Sequence, residues 1–130
     1  MVQDFVLEFV RQINAHDVNG IVARMTEDHT FVDAYGSEIT GKEKIKAGWS
    51  VYFQWFPDYN IEIHHMLESN SLVLAFGFAS GTFKNLRDEN NSNYWRLPAA
   101  WKILIEDGKI KLWQVCADTK IPFDIIHKNN

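Results

Sequence analysis

Asp33 lies inside Phe31-Val32-Asp33-Ala34-Tyr35, an apolar run. A carboxylate without partners costs free energy in such surroundings. Desolvation there raises a carboxyl pKa and suits the group to taking a proton from a carbon beside a carbonyl. The same side chain could instead organise the Ala34-Tyr35-Gly36 turn through backbone hydrogen bonds. Asp118 closes the last apolar run, where it serves either as a second acid or base facing Asp33 or as a cap for the segment from Thr119. Two carboxylates in one apolar pocket split their pKa values, which yields an acid and a base from one residue type. The other chemical groups combine poorly. His64 and His65 are adjacent on an expected strand and point to opposite faces, while His16, His29 and His127 are scattered. No His-Glu-x-x-His, Gly-x-Ser-x-Gly, P-loop or dinucleotide fingerprint occurs, so neither a metal nor a cofactor is expected. Cys116 reads as an inert buried thiol rather than a nucleophile.

The elements that must position these acids follow from periodicity. Val2, Phe5, Val6, Phe9, Val10 and Ile13 recur at helical spacing over 2–15, with Glu8, Arg11 and Gln12 opposite. Asp17 caps a second, shorter helix running to about Met25. Residues 29–35 form a short strand ending at Gly36. Thr40 and Glu43 have capping-box spacing for a third helix, whose stripe is Ile45, Trp49, Tyr52, Phe53 and Phe56 and which Pro57 stops. Strands are expected near 60–67, 71–83, 94–106 and 109–119, with turns at Asn70-Ser71 and Asp107-Gly108. Lys84–Asn93 is a polar, solvated loop, and the tail from Ile121 to His127 closes as a short helix. Helices first and a meander afterwards define an α+β fold.

Asp107-Gly108 is a strong two-residue hairpin turn, so Glu106 opposes Lys109. Counting outward with no interruption pairs Ile105 with Ile110, Ile103 with Leu112 and Trp101 with Gln114. Opposed residues share a face. Leu97, Ala99, Trp101, Ile103, Ile105, Ile110 and Leu112 then form the core face, with Gln114, Cys116 and Asp118 at its far end. Ala100, Lys102, Trp113 and Val115 fall on the outer face. A bulge beyond Trp101 would reverse the assignment.

With 130 residues the chain fits one domain, 1–130, and is long enough to bury about two-thirds of its unfolded surface. Nine Phe, five Trp and four Tyr exceed what a core of this size needs and suggest an aromatic-lined cavity, although packing alone could use them. A net charge of −4 argues against a nucleic-acid partner, whose phosphates call for clustered Lys and Arg. No stretch approaches the ~18 apolar residues of a membrane span. One cysteine and an N-terminus without a basic or long apolar segment make the cytoplasm the expected compartment.

Asn14-Ala15-His16-Asp17-Val18-Asn19-Gly20-Ile21-Val22-Ala23, followed by Asp33-Ala34-Tyr35-Gly36-Ser37-Glu38, resembles the bacterial ketosteroid isomerases. Phe56-Pro57-Asp58, Gly81-Thr82-Phe83 and Asp107-Gly108-Lys109-Ile110 look like the related SnoaL-like polyketide cyclases. The resemblance covers nearly the whole chain. It implies a cone-shaped NTF2-like (cystatin-like) fold, in which a curved mixed sheet wraps around three N-terminal helices and encloses a ligand cavity. It places Asp33 at the general-base position of the isomerases and likens Asp118 to a late-strand acid/base of the cyclases. The isomerases' oxyanion-hole tyrosine corresponds to Phe9, and their protonated aspartate to Ala100 or Trp101. Of these, only Trp101 keeps a donor, its indole N–H. Losing one such donor typically costs ~2.7–4 kcal/mol, so the steroid isomerisation that serves as a standard example of this chemistry is disfavoured.

The candidate site therefore comprises Asp33 and Asp118 as acid/base groups. Phe9, Tyr35, Trp49, Tyr52, Phe53, Phe56, Trp101, Gln114 and Cys116 are its candidate pocket lining. Tyr35, Tyr52 and Tyr59 are alternatives for the missing hydroxyl donor. The expected activity is that of a cofactor-independent isomerase or lyase acting on a small apolar carbonyl compound. The alternative is a non-catalytic ligand-binding or protein-interaction domain. An exposed Trp113 beside Val115 would make the outer sheet face a partner surface, and family members commonly form homodimers through it.

Overall fold

A computed structural model describes residues 2–130. The chain runs α1 (Val2–Asn14), α2 (Val18–Ala23), β1 (Met25–Val32), β2 (Glu38–Thr40), α3 (Lys42–Trp55), β3 (Asn60–Ser69), β4 (Leu72–Thr82), a 3-10 turn at Phe83–Asn85, β5 (Tyr94–Glu106), β6 (Lys109–Cys116) and α4 (Lys120–Lys128). Six strands form one curved, unclosed sheet in the order β2-β1-β6-β5-β4-β3. Only the β1–β6 pair is parallel. The architecture is α+β, as the element order requires.

Helix α1 buries Val6, Phe9, Val10 and Ile13, the stripe set by its helical spacing. Its C-terminal end is tied to β3 by Asn14, whose Nδ2 donates to Ile61 O (2.9 Å) and whose Oδ1 accepts from Ile61 N (2.8 Å). The next turn adds His16, stacked on Phe53 with ring centroids 4.0 Å apart and Nε2 2.9 Å from Tyr59 O. On the other side Asp58 Oδ1 accepts from Thr82 N. The short segment between α3 and β3 is thereby pinned to α1 and to β4.

Three expectations change. Strand β1 runs Met25–Val32, starting four residues earlier and ending three residues earlier than the expected 29–35, so Asp33 lies just past its end and not within it. Thr40 is a residue of β2, its Oγ1 3.0 Å from Thr30 Oγ1, and α3 starts from Gly41 without a side-chain cap. The last hairpin also carries a bulge. Ile105 opposes Ile110, but Leu104 opposes Leu112, leaving Lys111 as the extra residue. Beyond it Ile103 faces Trp113 and Trp101 faces Val115.

That one-residue shift flips every later side chain of β6. Trp113 is 1% exposed and packs 5.1 Å from Phe9 and 6.2 Å from Trp101 between ring centroids. Gln114 and Cys116 move to the outer face, where Cys116 is exposed. The energetics favour the bulge. Burying an aromatic ring of roughly 150–250 Å² contributes up to about 4–6 kcal/mol, against about 1.5–3 kcal/mol for the Leu112 side chain that strict alternation would bury. A lost ladder hydrogen bond costs about 1 kcal/mol.

Candidate functional site

The concave side of the sheet and α3 do not meet in a filled core. Along β5, Trp95, Leu97, Ala99 and Trp101 alternate inward, all buried. On β4, Ala79 lies opposite Leu97, and Gly77 opposite Ala99. These small residues leave the middle of the sheet low, while α3 above presents Trp49, Tyr52 and Phe56. Between them is a cavity of about 280 Å³. Gly77 has a second reason to be small. A Cβ there would come within 1.8 Å of Glu62 O, beside the irregularity where β3 slips register between Ile63 and His65.

The cavity wall is a chain of aromatic contacts. Trp49 bridges Phe31, with ring centroids 6.1 Å apart, to Tyr52 at 6.4 Å and Tyr59 at 6.5 Å. Tyr52 and Tyr59 meet nearly perpendicular at 5.0 Å, and Trp95 contacts Phe56 at 5.3 Å and Tyr59 at 6.1 Å. At the mouth Tyr35, 73% exposed, leans on Phe123 of α4 at 5.8 Å. Pro122, Phe123 and Ile126 make α4 part of the rim.

Asp33 reaches the cavity and is the only Asp, Glu, Lys, Arg or His among its described lining residues. It also organises the β1–β2 loop. Its Oδ1 accepts from Tyr35 N and Ser37 N, both at 2.9 Å, while its backbone N–H donates to Ser37 O. The turn role and the cavity role thus coexist in one residue, and the second oxygen, Oδ2, stands outside those turn bonds. Asp118 does not line the cavity. The bulge removes it from the core face, and it is exposed, with Oδ1 accepting from Lys120 N (3.1 Å) at the start of α4. It borders a shallow depression outside the mouth, together with Tyr35 and Phe123.

Of the candidate pocket residues, Tyr35, Trp49, Tyr52, Phe56 and Trp101 line the cavity. Phe9 packs beneath Trp113, Phe53 turns toward His16, and Gln114 and Cys116 face outward, so these four do not. The indole N–H of Trp101 is sealed in the core without a partner and cannot reach a guest. Phe31, Trp95, Trp113 and Phe123 line the cavity beyond the candidate set, and Tyr59, a candidate hydroxyl donor, lines it too. Trp95 could have been found from the sequence, since it shares parity with Leu97, Ala99 and Trp101.

Burial pushes the Tyr59 hydroxyl pKa up strongly, and burial with the neighbouring Tyr59 pushes that of Tyr52 well up. Both phenols therefore remain protonated. Neither hydroxyl forms a protein hydrogen bond among the described residues, and neither is among the polar atoms sealed away from open space. Both residues line the cavity.

A SnoaL-like domain model matches residues 6–113, and the chain belongs to that family. No curated protein matches the sequence. Among solved structures, a protein of Shewanella putrefaciens CN-32 assigned as a SnoaL-like polyketide cyclase is similar at 17% identity. That alignment covers 98% of this chain and 86% of that one, with a TM-score of 0.80. An LEH-like epoxide hydrolase of M. tuberculosis shares 16% identity over 98% of this chain and 90% of that chain, with a TM-score of 0.78. A ketosteroid isomerase-like protein of Catenulispora acidiphila DSM 44928, solved in complex with trimethylamine, shares 18% identity over 85% and 82%, with a TM-score of 0.74. With similar solved structures described as an NTF2-like protein and as a cystatin fold, these likenesses give the fold as NTF2-like (cystatin-like).

Proposed function

We propose that the chain is one domain that binds a small, uncharged, mainly apolar carbonyl compound in the cavity between α3 and the sheet. The observation that carries this reading is the lining itself. It is apolar almost throughout and rich in aromatic rings, includes two phenols without a protein partner, and among the described residues contains no Lys, Arg or His to neutralise an anionic guest. Pockets of this kind derive affinity from apolar contact and orientation from a few polar atoms. The test is a thermal-shift screen of neutral cyclic ketones against their carboxylate analogues. Stabilisation by ketones alone supports the reading. No shift from any ketone would reject it.

The position of Asp33 favours a second reading, cofactor-independent isomerase or lyase chemistry. Asp33 Oδ2 would take a proton from the carbon next to the carbonyl while a phenol stabilises the charge on oxygen, and the proton would then return at the product carbon. Asp118 has no part in that step. In this reading Asp33→Asn lowers turnover at least about 100-fold with binding retained. Unchanged turnover rejects the base assignment.

The outer sheet face supports a homodimer, although not through Trp113. Leu67 (75% exposed), Leu74 and Phe76 (48% each) form an apolar patch continuous with Leu72, Leu104 and Leu112. A second copy of this chain is the proposed occupant. No described helix is long and apolar enough to cross a membrane, and the cytoplasm is the proposed compartment.

A further inference from the structure

We infer that Tyr52 and Tyr59 form a two-phenol anchor for a neutral acceptor oxygen, so that the cavity selects ring-bearing carbonyl compounds over both the parent hydrocarbon and the carboxylate of the same shape. This inference deepens the binding reading above and rests on it. The two residues come from different elements, α3 and the segment before β3, yet their rings meet at 5.0 Å. Their placement is fixed. Phe56 N donates to Tyr52 O (2.9 Å) and Tyr59 N to Phe56 O (3.0 Å), while the Tyr59 carbonyl also meets His16 Nε2. Trp49 stands edge-on to Tyr52, and Trp49 and Trp95 pack at a tilt against Tyr59.

A hydroxyl that borders a cavity without a protein partner is free to donate to a ligand or water that enters it. Two of the indole donors around the cavity, Trp95 Nε1 and Trp101 Nε1, are buried out of contact with open space and offer nothing to a guest. Burial keeps both phenols protonated, so they donate and do not act as bases. A carboxylate guest would bring its charge into a wall with no cation, where desolvation goes uncompensated. The anchor replaces the donor that Phe9 cannot supply, from a different part of the fold.

The test titrates 2-acetylnaphthalene, 2-ethylnaphthalene and 2-naphthoate into the full chain by calorimetry. One net hydrogen bond to a carbonyl predicts about 10-fold tighter binding of the ketone than of the hydrocarbon, and no saturation by the carboxylate. In Tyr52→Phe/Tyr59→Phe the ketone and hydrocarbon should bind within about 2-fold of one another, at the hydrocarbon's wild-type affinity. The carbonyl 13C resonance of labelled ketone should move downfield on binding the wild type, a readout that needs no variant. Equal binding of ketone and hydrocarbon by the wild type, or no carbonyl shift, overturns the anchor while leaving the cavity reading intact. Failure of all three compounds to bind overturns both.

Discussion

Ala99→Leu tests whether the space beside β5 is open. Ala99 is 2% exposed, projects from the concave face and lines the cavity. Leucine adds three carbon atoms there. If they occupy empty space within the 280 Å³ cavity, each buried methylene contributes about 0.8 kcal/mol, or about 2 kcal/mol in all. Against a filled interior the same atoms force side chains off their rotamers and cost about 1–3 kcal/mol. The two cases differ in sign and are separated by urea denaturation with the slope unchanged. An open void predicts a midpoint at higher urea and weaker binding of a two-ring ketone, because the leucine takes the guest's place. A midpoint at lower urea with a normal slope would show that no usable void exists beside Ala99.

Gly77→Ala should be among the most damaging single changes, because its Cβ would collide with backbone at Glu62 O and not with a movable side chain. A loss above about 3 kcal/mol is expected in the same denaturation assay. A loss under about 1 kcal/mol, or the gain of about 0.4–1 kcal/mol usual where alanine fits, would contradict so close an approach of the two strands. His29 is wholly buried, with Nδ1 2.7 Å from Ile110 O and Nε2 without a partner. Burial lowers its pKa from 6.5, outweighing the Ile110 hydrogen bond and the charge of Asp28. The stability that His29 contributes is present above pH 6.5 and falls as pH drops toward the lower folded value, because only the unfolded chain then takes up the proton. Its slope reaches at most about 1.4 kcal/mol per pH unit. Denaturation from about pH 7.5 to about pH 5 should show that slope in the wild type and lose it in His29→Gln; identical profiles would refute the assignment. Phe76→Glu should convert a dimer to a monomer in sedimentation velocity without loss of cavity binding. A wild type that is already monomeric at high concentration would reject the dimer.

The helices, the meander and the Asp107-Gly108 turn were legible because each follows a local rule: apolar period, cap or turn chemistry. The face of β6 was not. Its pattern Ile110-Lys111-Leu112-Trp113 contains two adjacent apolar residues, and strict alternation picks Leu112 as the inward one. The structure picks Trp113, since only that choice buries the larger ring against Phe9 and Trp101. The adjacent apolar pair was the available sign of a bulge. From it follow the outward placement of Gln114 and Cys116 and the loss of Asp118 from the site. Asp33 was legible as a residue of interest because an acid in an apolar run needs an explanation, and its Asx-type turn supplies one. Choosing among Tyr35, Tyr52 and Tyr59 required burial, a tertiary property. Tyr35 belongs to an exposed loop, whereas the other two are enclosed by α3, β5 and each other.

The most direct measurement of cavity binding is a set of intermolecular NOEs between 2-acetylnaphthalene and the isotope-labelled protein. Occupation of the cavity predicts contacts from the naphthyl protons to the rings of Trp49 and Trp95, with the methyl group next to the carbonyl close to Tyr52 and Tyr59. Contacts confined to Leu74 and Phe76 on the outer sheet face would place the guest on the wrong side of the sheet and contradict it.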